Sequence, residues 1–165
     1  MAVLELDKIC FSIDKDGEEL RLIQDATIRV DPGHFMAIVG PSGCGKTTLL
    51  KVIAGLNEES AGNIYWDGRD LAAEGDLSPT EVGYVPQFSI AFDELTVEES
   101  VESAVRLRVK TRSQSQVQEI LDGALGQVGL GELRDRRVAV LSGGQKRRLG
   151  LALELVSNPT LLLCD

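Results

Sequence analysis

The sequence predicts an α/β fold in which a mostly parallel sheet carries an antiparallel β subdomain and a helical insertion. Three observations predict it. The apolar run Phe35-Met36-Ala37-Ile38-Val39 leads into a glycine-rich stretch and then into Leu49-Leu50-Lys51-Val52-Ile53-Ala54, which reads as strand, turn, helix. Residues 3–13 and 22–30 alternate apolar and polar side chains, the period of half-buried strands. Between residues 96 and 128 the pattern changes to helical spacing.

The first alternating run, Val3 to Ile13, is broken by the turn residues Asp14-Lys15-Asp16-Gly17-Glu18, and the second, Leu22 to Val30, ends at Asp31-Pro32-Gly33. The two runs predict an antiparallel pair. Residues 40–48, Gly40-Pro41-Ser42-Gly43-Cys44-Gly45-Lys46-Thr47-Thr48, fit the spacing G-x-x-x-x-G-K-[ST], with the preceding strand and following helix that this motif requires. This is the mark of a P-loop NTPase core. Its glycines let successive backbone N–H groups point inward, and the helix starting near Lys46 adds its positive end, so a polyphosphate is the natural occupant. Lys46 then reaches the β- and γ-phosphates, and the Thr47 hydroxyl serves as a ligand of Mg²⁺. Gly55 suits the residue just past the end of that helix.

Downstream, Gly62-Asn63-Ile64-Tyr65-Trp66-Asp67-Gly68 predicts a short strand closed by a turn, and Val82-Gly83-Tyr84-Val85 another, ended by Pro86. Gln87 follows at once, at the carboxyl end of a strand, where ligand contacts sit in open α/β sheets. Thr96-Val97-Glu98-Glu99 is a capping box opening a helix through Val101, Ala104, Val105 and Leu107, and Gln114 to Val128 is a second helix. The basic cluster Arg106, Arg108, Lys110, Arg112 reads as a solvated face. In Leu141-Ser142-Gly143-Gly144-Gln145, Ser142 and Gln145 again form a capping box. Gly143 and Gly144 cost helix propensity and let another group approach the backbone closely, making a second anion site at a helix N-terminus. Thr160-Leu161-Leu162-Leu163-Cys164-Asp165 predicts a buried strand that ends in a carboxylate able to hold Mg²⁺.

Composition narrows the partners. The chain has 165 residues, 43% of them hydrophobic and 26% charged, as in one ordinary globular domain. A formal charge of −9 argues against nucleic acid, whose binding rests on Lys and Arg neutralising phosphates. No run approaches the length of a bilayer span, and the start, residues 1–5, lacks the basic segment of a signal peptide, so a cytoplasmic location is expected. Cys10, Cys44 and Cys164 have no C-x-x-C spacing and read as reduced thiols. His34, the single histidine, reads as a surface turn residue.

Residues 40–48, Gln87, Leu141-Ser142-Gly143-Gly144-Gln145 and Leu161-Leu162-Leu163-Cys164-Asp165 stand in the order of the Walker A, Q-loop, signature motif and Walker B of an ABC transporter ATP-binding domain. The resemblance covers the whole chain, and the signature is specific to that superfamily. It implies ATP and Mg²⁺ as cofactors: residues 40–48 on the phosphates, Thr47, Gln87 and Asp165 on the metal, and Ser142, Gly143, Gly144 and Gln145 acting in trans on ATP held by a second ATP-binding domain. It implies a head-to-tail dimer, Gln87 and the helical insertion facing a transmembrane domain that is separate or on the same polypeptide, and a place at the cytoplasmic face of the membrane. The organisation expected is a core of about 1–90 and 138–165 and a helical subdomain of about 91–137. The run from Leu141 to Asp165 is similar to the G subfamily. Many relatives stack an aromatic on adenine where Ile13 stands here, so the base is expected on an aliphatic or on Phe11.

The family's catalytic glutamate would directly follow Asp165 and its switch histidine would lie further on. The chain is therefore expected to be a partial ABC-type domain, with no catalytic residue of its own and ATP hydrolysis confined to a longer parent. Two other functions fit the motifs. One is a soluble ABC-type ATPase acting on DNA or ribosomes, disfavoured by the acidic charge and by the lack of a long heptad segment between Lys46 and Ser142. The other is a nucleotide-gated interaction module that never hydrolyses.

Overall fold

The computed structural model describes every residue except 1, 2, 79, 89, 90, 111 and 112, so the first two residues of the chain and Arg112 of the basic cluster lie outside the described residues. The chain forms two compact units, Met1–Ser78 with Asp165, and Pro79–Cys164.

The first unit is built on an antiparallel sheet of β1 (Leu4–Lys15), β2 (Glu18–Val30), β3 (Ala61–Trp66) and β4 (Arg69–Asp70), in the order β2-β1-β3-β4. Two tight turns set its register. Asp16 and Gly17 have φ of 59° and 85°, and Asp67 and Gly68 have 52° and 81°, the paired left-handed residues of hairpin turns that match strand twist. Leu4 and Leu6 of β1 oppose Trp66 and Ile64 of β3, and all four are buried. Helix α1 (Lys46–Ile53) buries Leu49, Val52 and Ile53. It ends as predicted at Gly55, whose φ of 69° allows the closing bonds from Gly55 N–H to Val52 O (3.1 Å) and from Leu56 N–H to Lys51 O (2.9 Å). The one-turn helix α2 (Leu71–Glu74) is capped by Asp70, which accepts from the Ala72 amide at 3.1 Å.

Phe35 to Val39 differs from expectation. It takes up no strand pairing, and Phe35 and Val39 are 94% and 87% exposed. An apolar run becomes a buried parallel strand only between flanking ladders, and the parallel ladder among the described residues joins β5 to β6 alone.

That ladder lies in the second unit, where β5 (Val82–Val85) pairs with β6 (Leu161–Cys164) in register from Val82 opposite Leu161 to Val85 opposite Cys164. Helices α3 (Val97–Arg108), α4 (Gln114–Val128) and α5 (Gly143–Leu155) pack around one cluster that includes Val101, Val105, Leu121, Leu125, Leu149 and Ala152. The predicted capping boxes are both formed. Thr96 Oγ1 accepts from the Glu99 amide at 3.1 Å, and Glu99 Oε2 accepts from the Thr96 amide at 2.7 Å. Those bonds, the backbone one foremost, hold the Glu99 carboxyl below its usual range.

The basic cluster is not uniformly solvated. Arg106 donates to Glu102 and Gln114 on the surface, whereas Arg108 makes a bidentate pair with Glu154 of α5, whose side chain is only 4% exposed. Glu154 also accepts from the Tyr84 amide of β5 at 3.2 Å. A carboxylate that deep in an apolar helix needs such partners, because burying an unpaired charge is prohibitive.

Candidate functional site

Residues 40–48 form an open loop at the start of α1. Gly45, the residue before the helix, has φ of 92°, and a Cβ built on it would lie 2.7 Å from the Leu22 carbonyl oxygen of β2. Glycine is required there on both counts. Gly43 also has positive φ (80°). At Gly40 the constraint is internal, since a Cβ would meet the Cys44 sulfur at 2.7 Å. Helix α1 has no side-chain cap and no acidic residue of its own in its first turn. The Lys46 ammonium folds back over the loop, donating to Gly40 O at 2.9 Å, to Pro41 O at 2.7 Å and to Cys44 Sγ at 3.6 Å. Two carbonyl oxygens are a modest substitute for an anionic partner, and Lys46 is held where incoming phosphate oxygens can replace them.

Beside it, the Thr47 hydroxyl donates to Asp165 Oδ1 at 2.8 Å. Asp165 directly follows β6, and this bond joins two candidate residues 118 positions apart in the sequence. A hydroxyl and a carboxylate are hard oxygen donors. Mg²⁺ takes one or two carboxylates plus phosphates and retains several waters, so this pair next to a phosphate loop fits it. Among the described residues no group of three or more His, Cys, Asp or Glu is gathered as a protein-only metal cage. Ile13 lies on β1, 38% exposed, and Phe11 two residues earlier is half-buried. His34 sits in the turn after β2, its amide bonded to Asp31 O at 3.2 Å.

The remaining candidates belong to the second unit. Gln87 follows β5, its backbone carbonyl accepting from Arg147 Nη2 at 3.2 Å. Ser142 caps α5, accepting from the Gln145 amide at 3.3 Å, and Gln145 Oε1 accepts in return from the Ser142 amide at 2.8 Å. Added Cβ atoms at Gly143 and Gly144 would meet nothing within 4 Å. Packing within the chain therefore does not require glycine at either position, and the helix end stands open to an outside group. Sequence reasoning missed the partners of Lys146, whose ammonium lies 2.7 Å from Asp93 Oδ1, and of Glu154, because a charge in a helical pattern carries no local sign of a distant partner.

Comparison with known proteins identifies the family. A family model described as ABC transporter matches residues 23–165. The chain is 41% identical over 158 residues to the sulfate/thiosulfate import ATP-binding protein cysA of Cucumis sativus, covering 93% of this chain and 44% of that protein. It is 37% identical over 154 residues to the spermidine/putrescine import ATP-binding protein PotA of Aggregatibacter actinomycetemcomitans, covering 93% and 41%. Among solved structures, the ATP-binding cassette MJ0796, in a dimeric post-hydrolysis state bound to ADP and Pi, superposes with a TM-score of 0.85 at 25% identity, covering 98% of this chain and 73% of that one. The chain spans less than half the length of the curated relatives it matches.

Proposed function

Because the chain belongs to the ABC transporter family, we propose that it forms the ATP-binding part of a transporter, with Mg-ATP held by residues 40–48. The observation that carries this is the geometry in the first unit: a glycine loop with Lys46 drawn over it and Thr47 bonded to Asp165 at its edge. Loop amides and Lys46 bind the β- and γ-phosphates. Thr47 and Asp165 would hold Mg²⁺, which when bound would neutralise the polyphosphate. Ser142, Gly143, Gly144 and Gln145 offer the open end of α5 to the nucleotide of a second copy in a head-to-tail dimer, as the dimeric neighbour supports. Residues of about 1–90 and 138–165 act as the ATPase core, and the helical subdomain of about 91–137 faces a transmembrane partner at the cytoplasmic side of the membrane. No described helix is long and apolar enough to cross a membrane.

In this reading ATP binding closes the dimer and hydrolysis opens it, which drives the substrate across. The test is titration with methylanthraniloyl-ATP and Mg²⁺ beside a Lys46→Ala variant. Binding lost in the variant by about a hundredfold or more is expected for removal of a charge-assisted phosphate contact. Equal binding by both proteins would contradict the assignment.

A further inference from the structure

The fold accounts for only part of the basic cluster at the end of α3. From residue 103 to 118 the sequence has no Asp, Glu or aromatic residue, yet Arg106, Arg108, Lys110 and Arg112 fall within it, in a chain of formal charge −9. Two of the four serve the fold: Arg106 bonds Glu102 and Gln114, and Arg108 is drawn inward to Glu154. Leu107 does not. Val97, Val101 and Val105 form the buried stripe of α3, and at 3.6 residues per turn Leu107 lies about 200° round the axis from Val105. It is 86% exposed. The helix ends one residue later, where Val109 is extended at φ −114° and ψ 130°, and Lys110 lies exposed beyond it. A bare aliphatic side chain between two cations therefore forms the tip of this element, and neither the helix dipole nor the core requires it there.

We propose that the end of α3 touches the anionic surface of a lipid bilayer, with Leu107 entering the headgroup layer and Arg106 and Lys110 lying against lipid phosphates and carboxylates. The inference rests on the reading of the helical subdomain as the part that faces a membrane partner, and adds a contact with the lipid itself. Charge complementarity and the lone leucine favour this occupant. Protein partners are anchored by clusters of aromatic and Arg side chains seated in pockets, whereas acyl chains close around a single aliphatic group wherever it enters. Nucleic acid would match the cations but offers Leu107 nothing, and the stretch holds no aromatic residue to stack a base. The contact is weak by itself, since each Lys or Arg near an anionic leaflet strengthens partition by about fivefold. That is enough to orient a chain already held at the surface by a membrane partner, where the effective lipid concentration is high.

The test is co-flotation of the 165-residue chain with vesicles of phosphatidylcholine alone or of phosphatidylcholine and phosphatidylserine, at low and at physiological ionic strength, with Leu107→Gln, Lys110→Glu and Leu107→Trp variants. Binding is expected to the mixed vesicles only and is expected to fall with salt. It should weaken by about fivefold or more in Lys110→Glu and by about threefold or more in Leu107→Gln, while thermal midpoints and methylanthraniloyl-ATP binding stay unchanged. The emission of Leu107→Trp should shift to the blue on mixed vesicles, read against the unsubstituted chain, in which the only tryptophan, Trp66, is buried. No binding, equal binding to both vesicle types, binding that neither Leu107→Gln nor Lys110→Glu weakens, or an unshifted Leu107→Trp would overturn the proposal. Binding of polyuridylate in preference to the vesicles would also overturn it and give the tip to nucleic acid. Because methylanthraniloyl-ATP is read on the same samples, a chain that binds ATP but no vesicles refutes this contact alone. A chain that binds mixed vesicles but no ATP leaves the contact standing and refutes the nucleotide assignment.

Discussion

At the scale of single residues, the loop depends on atoms that cannot be exchanged without moving a neighbour. Gly45→Ala places a methyl group against the Leu22 carbonyl in a left-handed conformation, and a loss of about 1–3 kcal/mol in unfolding free energy is expected together with loss of nucleotide binding. Denaturant titration measures the first and fluorescence titration the second. Cys44 is exposed and its sulfur lies within 3.6 Å of the Lys46 ammonium, so alkylating it crowds the groups that receive phosphate. Alkylation should abolish binding, and Mg-ATP should protect the thiol, as peptide mass mapping would read directly; alkylated protein that binds normally would refute this placement. Cys164 serves as an internal comparison, because desolvation raises its pKa and lowers the fraction of reactive thiolate.

At the scale of elements, the second unit is held by features of different legibility. The helix starting at Thr96 could be read from four residues, since a capping box is a local hydrogen-bond pattern written in adjacent positions. Its Glu99 carboxyl is held below the unfolded value of 4.5, so its contribution to stability is complete above that pH and is lost as pH falls through the lower folded value. Thermal midpoints of the unsubstituted chain and Glu99→Gln should therefore differ at neutral pH and converge under acid. Glu154 was not legible. Its burial is explained by Arg108, 46 residues away, and by an amide of β5, and no periodicity encodes either. Removing it strands Arg108, 29% exposed, beside an apolar core, and Glu154→Ala is expected to cost about 3 kcal/mol in the unfolding of this unit. The hairpin was legible as two alternating runs, but the register shift that leaves Leu22 unpaired and sets Leu20 opposite Ile13 arises between strands. Phe35 to Val39 failed for the related reason that hydrophobicity marks a candidate strand and ladder partners make one.

At the scale of the whole molecule, the candidate residues fall in two units, with the phosphate loop, Thr47 and Asp165 in one and Gln87 and the Ser142 cap in the other. In the proposed dimer, a nucleotide clamped between the loop of one copy and the α5 end of another would make association depend on Mg-ATP. Gly144→Asp tests that arrangement. The chain has room for the side chain, and an acidic residue in the first turn of a helix favours the monomer's own fold. The same carboxylate would repel a phosphate arriving from a partner, so sedimentation should show a nucleotide-dependent dimer for the unsubstituted chain and none for the variant. Single-nucleotide affinity at the loop should be unaltered.

The most direct test of the central claim is an amide chemical-shift map of the ¹⁵N-labelled chain, recorded with and without Mg-ATP under dilute, monomeric conditions. Binding at the loop predicts the largest shifts at the non-proline amides of residues 40–48 and at Asp165, with much smaller ones across α3 and α4. Large shifts centred elsewhere, with residues 40–48 unmoved, would contradict the assignment of this loop as the ATP site.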